Sequence, residues 1–305
     1  MNKRILHIGD IAGIPQTLSK FQRKFGYTSN TLSFNLNIYN FGLDFYLPQK
    51  TFLPNGVENI FKLIMISPHY DVYHFHAYSA GLKGLDLPLW KTLGKTIILH
   101  HHGRDIRGKK ENYFFKNFSD ALFVSTPDLL QYTSNAIWIP NPIDLERLPV
   151  TKSTETSGKI KIVHAPTNRL KKGTEYVIKA VKRLKDDGYN ADLILVENMP
   201  HEKALECFKQ ADIVIDQLIT GWYGAVSIEC MSLGKPVCVY IREDLESYMP
   251  FNPIVNTSPK NIIENIKLLV EDQALRKKFG DQSRKYVEQM HDANMIAKKV
   301  LSLYK

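Results

Sequence analysis

Residues 221–237, GWYGAVSIECMSLGKPV, contain a glycine turn around two aromatic residues, followed by a short helical segment. The first N–H groups of such a helix, near Gly224, Ala225 and Val226, lack intrahelical partners and can face a phosphate or hydroxyl group. Glu229 lies one turn further on, and helical side chains lean toward the N-terminus, so its carboxylate can reach the same ligand. A carboxylate suits a sugar diol better than a phosphate. The alternative is an exposed helical glutamate.

Residues 164–176, HAPTNRLKKGTEY, form a basic segment that follows an apolar strand and runs into a helix. Arg169 and Lys172 supply positive charge there, and Asn168 and Gly173 lie beside them. Such a segment can hold a diphosphate, because cations and a helix N-terminus both favour negative charge. A solvated basic loop is the alternative interpretation.

Residues 100–110, HHHGRDIRGKK, follow the apolar run TIIL, and His76 ends the preceding predicted strand. We interpret His102 and Asp105 as polar contacts to a substrate hydroxyl or phosphate, and His76 as a candidate sugar contact. Consecutive strand residues point to opposite faces, so the three adjacent histidines cannot all ligate one ion. We therefore expect no metal site.

Residues 7–15, HIGDIAGIP, form a glycine turn between a predicted strand and a helix. Such a turn can bring backbone N–H groups close to an anion, and Gly13 is a candidate donor-binding residue. The spacing is not that of a dinucleotide fingerprint. A tight strand-to-helix turn without a ligand is the alternative.

Apolar runs typical of buried strands alternate with amphipathic helical segments along the chain. The predicted strands lie at 4–8, 31–36, 71–76, 96–101, 121–125, 136–140, 159–165, 191–197, 211–216 and 235–241. This order predicts an α/β fold with parallel sheets. The polar stretch 149–158 is the predicted linker, so we expect domains at 1–150 and 151–305, with the final helix able to cross back to the first. Two Rossmann-like domains facing a central cleft would place ligands at the strands' carboxyl ends.

The 305 residues are 44% hydrophobic and 23% charged, which is typical of a soluble globular protein. No run of 18 apolar residues predicts a membrane span, and the N-terminal apolar run is too short for a signal peptide. The three cysteines, Cys207, Cys230 and Cys238, lack metal spacing and are predicted to be buried apolar residues. These features favour a cytoplasmic location.

The net charge of +9 is spread along the chain. Residues 1–150 carry 16 basic against 11 acidic residues (+5), and residues 151–305 carry 24 against 20 (+4). This excess favours an anionic small molecule, then an anionic membrane surface touched peripherally, then nucleic acid. A lysine-rich solvated surface is the alternative.

Several of these segments together resemble family 4 of the GT-B glycosyltransferases, the group 1 transferases. GWYGAVSIECMSLGKPV resembles the family's glycine–aromatic–glycine, Glu-Ala-Met and Gly-x-Pro-Val signature. NRLKKGTEYVIKA resembles its Arg…Lys-Gly segment, while HHHGRDIRG and IPNPID resemble its N-domain histidine loop and its interdomain Pro-Asn-Pro-x-Asp. The resemblance covers about residues 100–240 and extends to the rest by layout.

The resemblance implies a GT-B fold and retaining transfer of a sugar from a nucleotide diphosphate sugar to a glycan or lipid hydroxyl. It implies that Lys172 binds the donor diphosphate, Glu229 the ribose, and Gly224 with its neighbours the donor through N–H groups. His102 would lie near the donor sugar. No metal or other cofactor is implied, and the chain contains no Asp-x-Asp. We expect no nucleic acid partner.

The chain departs from the family pattern at two positions. The first glutamate of the family's E-x7-E motif would fall at Gly221, and Asp216 and Gln217 are candidate substitutes for its contacts to the sugar. The family's phosphate-binding arginine would fall at Pro166, for which Arg169 is the proposed replacement. A nucleotide-sugar epimerase and a nucleotide-sugar-binding protein without turnover are therefore alternative functions.

Overall fold

The computed structural model describes residues 2–34, 41–48, 55–80, 83–151 and 158–304. Its strands are β1 Ile5–Ile8, β2 Ser29–Ser33, β3 Phe45–Tyr46, β4 Val72–His76, β5 Thr96–His101, β6 Ala121–Val124, β7 Ile137–Trp138, β8 Ile160–His164, β9 Ala191–Leu195, β10 Ile213–Ile215, β11 Val237–Val239 and β12 Val255–Asn256. Its α-helices are α1 Ile14–Lys24, α2 Asn55–Ile66, α3 Leu87–Thr92, α4 Tyr113–Phe118, α5 Arg169–Lys172, α6 Thr174–Asp186, α7 His201–Gln210, α8 Ala225–Ser232, α9 Ile262–Glu271, α10 Gln273–Met290 and α11 Ala293–Ser302. Each predicted strand overlaps an observed one. The end of the strand predicted at 31–36 lies outside the described residues.

The chain divides into two compact units, which do not coincide with the predicted domains. The first unit comprises Met1–Pro142 and Ala293–Lys305, and the second comprises Ile143–Asp292. Residues 143–150, expected in the first domain, thus belong to the second unit, because the backbone at Ile143 pairs with the segment at 291–292. The final helix, α11, belongs to the first unit.

The first unit is built on a seven-stranded sheet with the order β3-β2-β1-β4-β5-β6-β7, in which neighbouring strands are parallel. Its central strands β1, β4 and β5 are buried on both faces, as expected for a parallel sheet covered by helices, whereas the edge strand β3 is exposed. On one face, Leu18 and Phe21 of α1 pack in the same apolar cluster as Ile296 and Val300 of α11. This packing explains why the last helix belongs to the first unit.

The second unit has a five-stranded parallel sheet with the order β12-β11-β10-β8-β9. Val177, Val181 and Leu184 of α6 pack in one apolar cluster with Ile266 and other residues of α9, as their helical spacing predicts. Of the cysteines, Cys230 and Cys238 are buried as predicted, whereas Cys207 is partly exposed.

The strand order reverses once in each sheet, and these switch points are where ligands bind in open α/β sheets. In the first sheet the reversal lies between β1 and β4, and in the second it lies between β8 and β10. The segments that follow these four strands are therefore the first places to look for a site. Among the described residues, no helix has both the length and the apolar character needed to cross a bilayer.

Candidate functional site

Asp216 directly follows β10 at the switch point of the second sheet. Its side chain is 1% exposed, yet both carboxylate oxygens are bonded. Oδ1 accepts a hydrogen bond from Lys172 Nζ at 2.6 Å. Oδ2 accepts from the backbone N–H of Gly224 at 3.1 Å and from Ser227 Oγ at 2.6 Å. One carboxylate thus joins the end of α5 to the start of α8.

The charge state of Asp216 follows from these contacts. Burial alone would raise its pKa, but the Lys172 ammonium and the hydrogen bonds from Ser227 and Gly224 together hold the pKa of Asp216 below its usual value. The carboxylate is therefore ionised at neutral pH. Asp216 acts here as a positioning residue for Lys172, and a contact between Asp216 and a sugar stays a prediction.

Lys172 reaches this position because the chain turns sharply on both sides of it. The Asn168 side chain caps α5 by accepting a hydrogen bond from the N–H of Lys171 at 2.9 Å. Gly173 then ends α5 with φ at +77°, and a Cβ atom there would lie 3.2 Å from Leu218 Cβ. The predicted roles of Asn168 and Gly173 in donor binding are untested, but both residues shape the turn that orients Lys172.

The Lys172 ammonium lies at the N-terminus of α8. A Cβ atom placed on Gly224, which caps that helix, would lie 3.5 Å from Lys172 Nζ. The side chain of Lys172 is 14% exposed, so it is not completely closed off from solvent. A cation and the first N–H groups of a helix, here those of Ala225 and Val226, both favour an anion at the same point.

Glu229, one turn into α8, has a buried side chain that contacts the start of another helix. Its Oε1 lies 2.7 Å from Nε2 of His201, the first residue of α7. His201 was not among the site residues expected from the sequence. The signal available was its position at a helix start soon after β9, at the same edge of the sheet. Ribose binding by Glu229 stays a prediction, and His201 is the group that holds this carboxylate.

Arg169 is half exposed and has its own carboxylate partner. Its Nε and one terminal nitrogen donate to the two carboxylate oxygens of Glu197 at 2.9 and 2.6 Å. These hydrogen bonds raise the pKa of Arg169 and lower that of Glu197. The structure thus pairs Arg169 with Glu197, and its predicted contact with a phosphate would require this pair to open.

Gly221 has a backbone conformation that favours glycine, and the side chain of Arg242 lies close to it. Its φ is +88°, in the left-handed region, and a Cβ atom would lie 2.6 Å from Cγ and 2.8 Å from Cδ of Arg242. The neighbouring Gln217 donates from Nε2 to the carbonyl of Trp222, so its amide holds this turn. A side chain at position 221 would thus be strained by its backbone conformation and would require Arg242 to move, and the predicted sugar contact of Gln217 is untested.

In the first unit, a histidine cluster lies on one face of the sheet near the switch point. Its members are His7, His74, His76, His100 and His102. His7 is the register partner of His74, and His76 is that of His100. His101 is outside the cluster, and its Nδ1 contacts the Asp105 carboxylate, which also accepts from the N–H of His102 at 3.0 Å.

His102 is held by other groups of the first unit. Its Nε2 lies 3.0 Å from His76 Nδ1, and its Nδ1 is buried without a hydrogen-bond partner in the part of the chain that is described. Burial lowers the pKa of His102 to about 4, so the ring is neutral at pH 7. Asp105 orients the loop around His102, while His76 is buried with both ring nitrogens facing histidines.

The predicted anion-binding turn of the first unit is compact. Gly13 caps α1 with φ at +70°, and a Cβ atom there would lie 2.8 Å from a ring carbon of Phe41. A Cβ atom on Gly9 would lie 2.9 Å from the carbonyl oxygen of His76. Both glycines are thus required by close packing, and donor binding by Gly13 stays a prediction.

The chain is similar to known proteins in structure, whereas its sequence matches no known family. No protein-family model matches the chain, and no curated protein matches it. Sucrose-phosphate synthase from Thermosynechococcus elongatus is similar in structure, with a TM-score of 0.72 and 13% identity, covering 99% of this chain and 98% of that one. The Anabaena protein HepE in complex with UDP-glucose gives 0.65 and 12%, covering 99% of each chain.

An alpha-glucosyltransferase in complex with UDP and a 13-mer DNA gives a TM-score of 0.68 at 12% identity, covering 99% of this chain and 100% of that one. These structures are GT-B glycosyltransferases, and the similarity extends over the whole chain. The chain therefore has the GT-B fold, and the predicted fold class is confirmed.

Proposed function

We propose that this chain is a glycosyltransferase that moves a sugar from a nucleotide diphosphate sugar to a hydroxyl acceptor. The observation that carries the proposal is the placement of the Lys172 ammonium at the N-terminus of α8, held there by the buried Asp216 carboxylate. These groups follow β8 and β10, the strands at which the second sheet reverses its order. They form a site suited to a diphosphate.

The fold comparison supports a uridine nucleotide as the first donor to test. HepE was solved with UDP-glucose and the alpha-glucosyltransferase with UDP, and both share this fold at low identity. We therefore propose a UDP-sugar donor, and membership of family 4 on the motifs around Lys172 and Glu229. Glu229, fixed by His201, would accept hydrogen bonds from the ribose.

The proposed reaction retains the configuration of the sugar and needs no metal at the diphosphate. Lys172 and the N–H groups of Gly224, Ala225 and Val226 would stabilise the negative charge that builds on the leaving diphosphate. The acceptor hydroxyl attacks the anomeric carbon on the face that the diphosphate leaves, through an oxocarbenium-like transition state. Its proton passes to an oxygen of the leaving phosphate, so no covalent carboxylate intermediate is required.

The remaining assignments of the proposal concern the first unit and the acceptor. We assign His102 to a hydroxyl of the donor sugar as a neutral hydrogen-bonding group, consistent with its pKa of about 4. Asp105 would act by holding the His102 loop. We propose a glycan or lipid acceptor, without a nucleic acid substrate, and a cytoplasmic enzyme that touches membranes peripherally.

A donor-binding protein without turnover is the second candidate, and Gly221 is the observation that favours it. In the resembled family a glutamate at this position holds the donor sugar, whereas Arg242 here occupies the space of any side chain. Such a protein would bind the nucleotide through Lys172 and release no product.

Calorimetry with UDP, GDP and their sugars, followed by an assay for release of the nucleotide diphosphate, tests the proposal. We expect saturable binding of a nucleotide diphosphate that Lys172→Ala weakens, while Lys171→Ala, a neighbouring exposed lysine, leaves it unchanged. Release of UDP from a UDP-sugar supports a transferase, and binding without release supports the second candidate. Equal affinity of the Lys172→Ala and unmodified proteins would show that the site is assigned wrongly.

The acceptor is tested separately, by supplying the protein and labelled donor with oligosaccharides, lipid vesicles and short DNA duplexes. Transfer of label to a glycan or lipid supports the proposed acceptor class. Transfer to DNA alone would refute it.

A further inference from the structure

A cavity of about 700 Å³ lies within the second unit, at the edge of its sheet opposite to Asp216. Its lining includes Asp212, which precedes β10, and Lys235, which precedes β11. These strands are parallel, so their amino ends share one edge of the sheet, whereas Asp216 follows β10 at the other edge. We call this space the amino-edge cavity, and its volume is in the range of small-molecule sites.

Lys235 lines the amino-edge cavity although it is only 3% exposed. Within the described residues, its ammonium donates no hydrogen bond and has no carboxylate oxygen within 4.0 Å. A buried ammonium without a paired anion is costly, because burial removes its hydration. Burial accordingly lowers the pKa of Lys235, and the more distant charge of Asp212 acts in the opposite direction. A lysine in this position calls for an explanation.

The turn between α8 and β11 fixes the position of Lys235. Gly234 has φ at +73°, and the N–H of Lys235 donates to the carbonyl of Cys230, near the end of α8, at 3.0 Å. Pro236 then leads into β11. Lys235 is therefore held beside the cavity by its backbone and not by an ion pair of its side chain.

Arg276 of α10 supplies a second positive charge to the lining. Its Nη1 donates to the carbonyl oxygens of Leu269 and Val270, at the end of α9, at 2.6 and 3.0 Å. These bonds fix the guanidinium, while its Nε and Nη2 donate no hydrogen bond in the described part of the chain. An arginine held in this way keeps N–H donors for a ligand.

The acidic residues of the lining already have hydrogen-bond donors. Asp212 Oδ2 accepts from a backbone N–H at 2.9 Å, and Asp281 Oδ2 accepts from Lys277 Nζ at 3.0 Å. Lys277 and Asp281 thus neutralise each other. Of the remaining charged residues in the lining, Lys235 and Arg276 outnumber Asp212, so the lining has a net positive charge.

The start of α10 also favours an anion in the cavity. Gln273 and Ala274, the first two residues of this helix, are part of the lining. The first N–H groups of a helix have no intrahelical acceptors, and the positive end of the helix dipole lies there. The helix has 18 residues, so its N-terminus has the character of a full helix end.

We propose that the amino-edge cavity binds a small molecule that carries a phosphate group, through Lys235, Arg276 and the start of α10. A phosphate monoester has three oxygen atoms for these donors and a charge of about −1.5 to −2 at pH 7, whereas a carboxylate has two oxygen atoms and one charge. The cavity volume leaves space for an organic group beside the phosphate. The proposal goes beyond the transferase function, because it concerns the edge of the sheet opposite to the donor site.

The test is a calorimetric titration of the full-length protein with inorganic phosphate and with ribose 5-phosphate. Ribose and ribonate, a pentose that carries a carboxylate, are the comparison ligands. Titration of Lys172→Ala in the same way removes any contribution from the proposed donor site. We expect one saturable site for both phosphate compounds in Lys172→Ala, no binding of ribose and weaker binding of ribonate. Lys235→Met should weaken the affinity for both phosphate compounds by about 10-fold or more.

The variants are chosen to preserve the fold. Lys235→Met removes a buried charge that has no ion pair, so the thermal midpoint should not fall. Ala274→Asp places a carboxylate in the first turn of α10, which suits the helix dipole but should repel a phosphate, and Ala274→Asn is its uncharged match. Lys278→Met, which changes an exposed lysine of the same helix, should bind phosphate like the unmodified protein.

Three results would overturn the proposal. They are no saturable binding of either phosphate compound, equal affinity of Lys235→Met and the unmodified protein, and binding that Lys172→Ala abolishes while Lys235→Met keeps it. Tighter binding of ribonate than of ribose 5-phosphate would also overturn it. Lys235→Met should bind UDP like the unmodified protein, so this proposal and the proposed function can each fail alone.

Discussion

Replacing Lys172 by methionine should affect both donor binding and stability, for reasons that the structure separates. A charge-assisted contact to a diphosphate contributes about 1.5–3 kcal/mol, so the Kd for UDP should rise by about 10–150-fold. The change also leaves the Asp216 carboxylate buried without its ammonium partner at 2.6 Å. Removing one partner of a buried pair costs about 3–5 kcal/mol, and the hydrogen bonds from Gly224 and Ser227 keep the cost near 3 kcal/mol.

The loss of stability caused by replacing Lys172 should depend on pH in a defined direction. In the unmodified protein the pKa of Asp216 lies below its usual value, so its carboxylate stabilises the fold at neutral pH and loses that effect as pH falls through the lowered pKa. Without Lys172, burial raises the pKa of Asp216, and the ionised form destabilises the fold at neutral pH. The difference in unfolding free energy between the two proteins should therefore narrow from pH 7 toward pH 4.

Urea unfolding at several pH values and calorimetry with UDP measure these effects. Lys171→Met is the matched control, and it should leave both quantities unchanged. The double variant with Asp216→Asn should regain most of the stability but none of the affinity, since the uncompensated charge is gone while the cation is still missing. A Lys172→Met variant that is as stable as the unmodified protein at pH 7 and binds UDP with the same Kd would refute the reasoning.

Three further predictions concern the second unit. Glu229→Ala should raise the Kd for UDP about 10-fold or more, since it removes a carboxylate that His201 holds in place, and calorimetry against Glu206→Ala, an exposed glutamate of α7, checks this. Gly221→Ala should lower the thermal midpoint of the second unit, because φ is +88° and Arg242 fills the space, whereas Gly188→Ala has the strained φ without a neighbour within 4 Å and should cost less. Arg169→Ala should leave the thermal midpoint nearly unchanged, because solvent screens its ion pair with Glu197. In a thermal unfolding scan, we expect Arg169→Ala and the control Lys171→Ala to have the same midpoint.

The strands and most helices could be predicted from the sequence because their apolar patterns are local. The runs at β4, β5, β8 and β10 are rich in apolar residues, as buried parallel strands are, although polar residues interrupt the first three, and α6 carries its apolar residues at helical spacing. The position of the unit boundary could not be predicted in this way. It depends on the pairing of Ile143 with the segment at 291–292, which lies almost 150 residues further along the chain.

The candidate site shows the same division between local and distant information. Lys172 and Gly224 were identified because a glycine beside a helix start is a local signal. The partner of Glu229 is 28 residues away, at His201, and the side chain that lies against Gly221 is that of Arg242. The histidine cluster also depends on distant information, because its members lie on separate strands and only the register of β1, β4 and β5 aligns them.

In the proposed reaction, the carboxylate of Asp216 would have a consequence for product release. An ammonium that already has a resident counter-anion gives an incoming phosphate only part of its attraction, and it can return to that counter-anion when the phosphate departs. If Lys172 binds the diphosphate as proposed, the oxygen atoms of Asp216 would therefore weaken the hold on the spent nucleotide, so that one side chain both orients the cation before binding and competes for it afterwards.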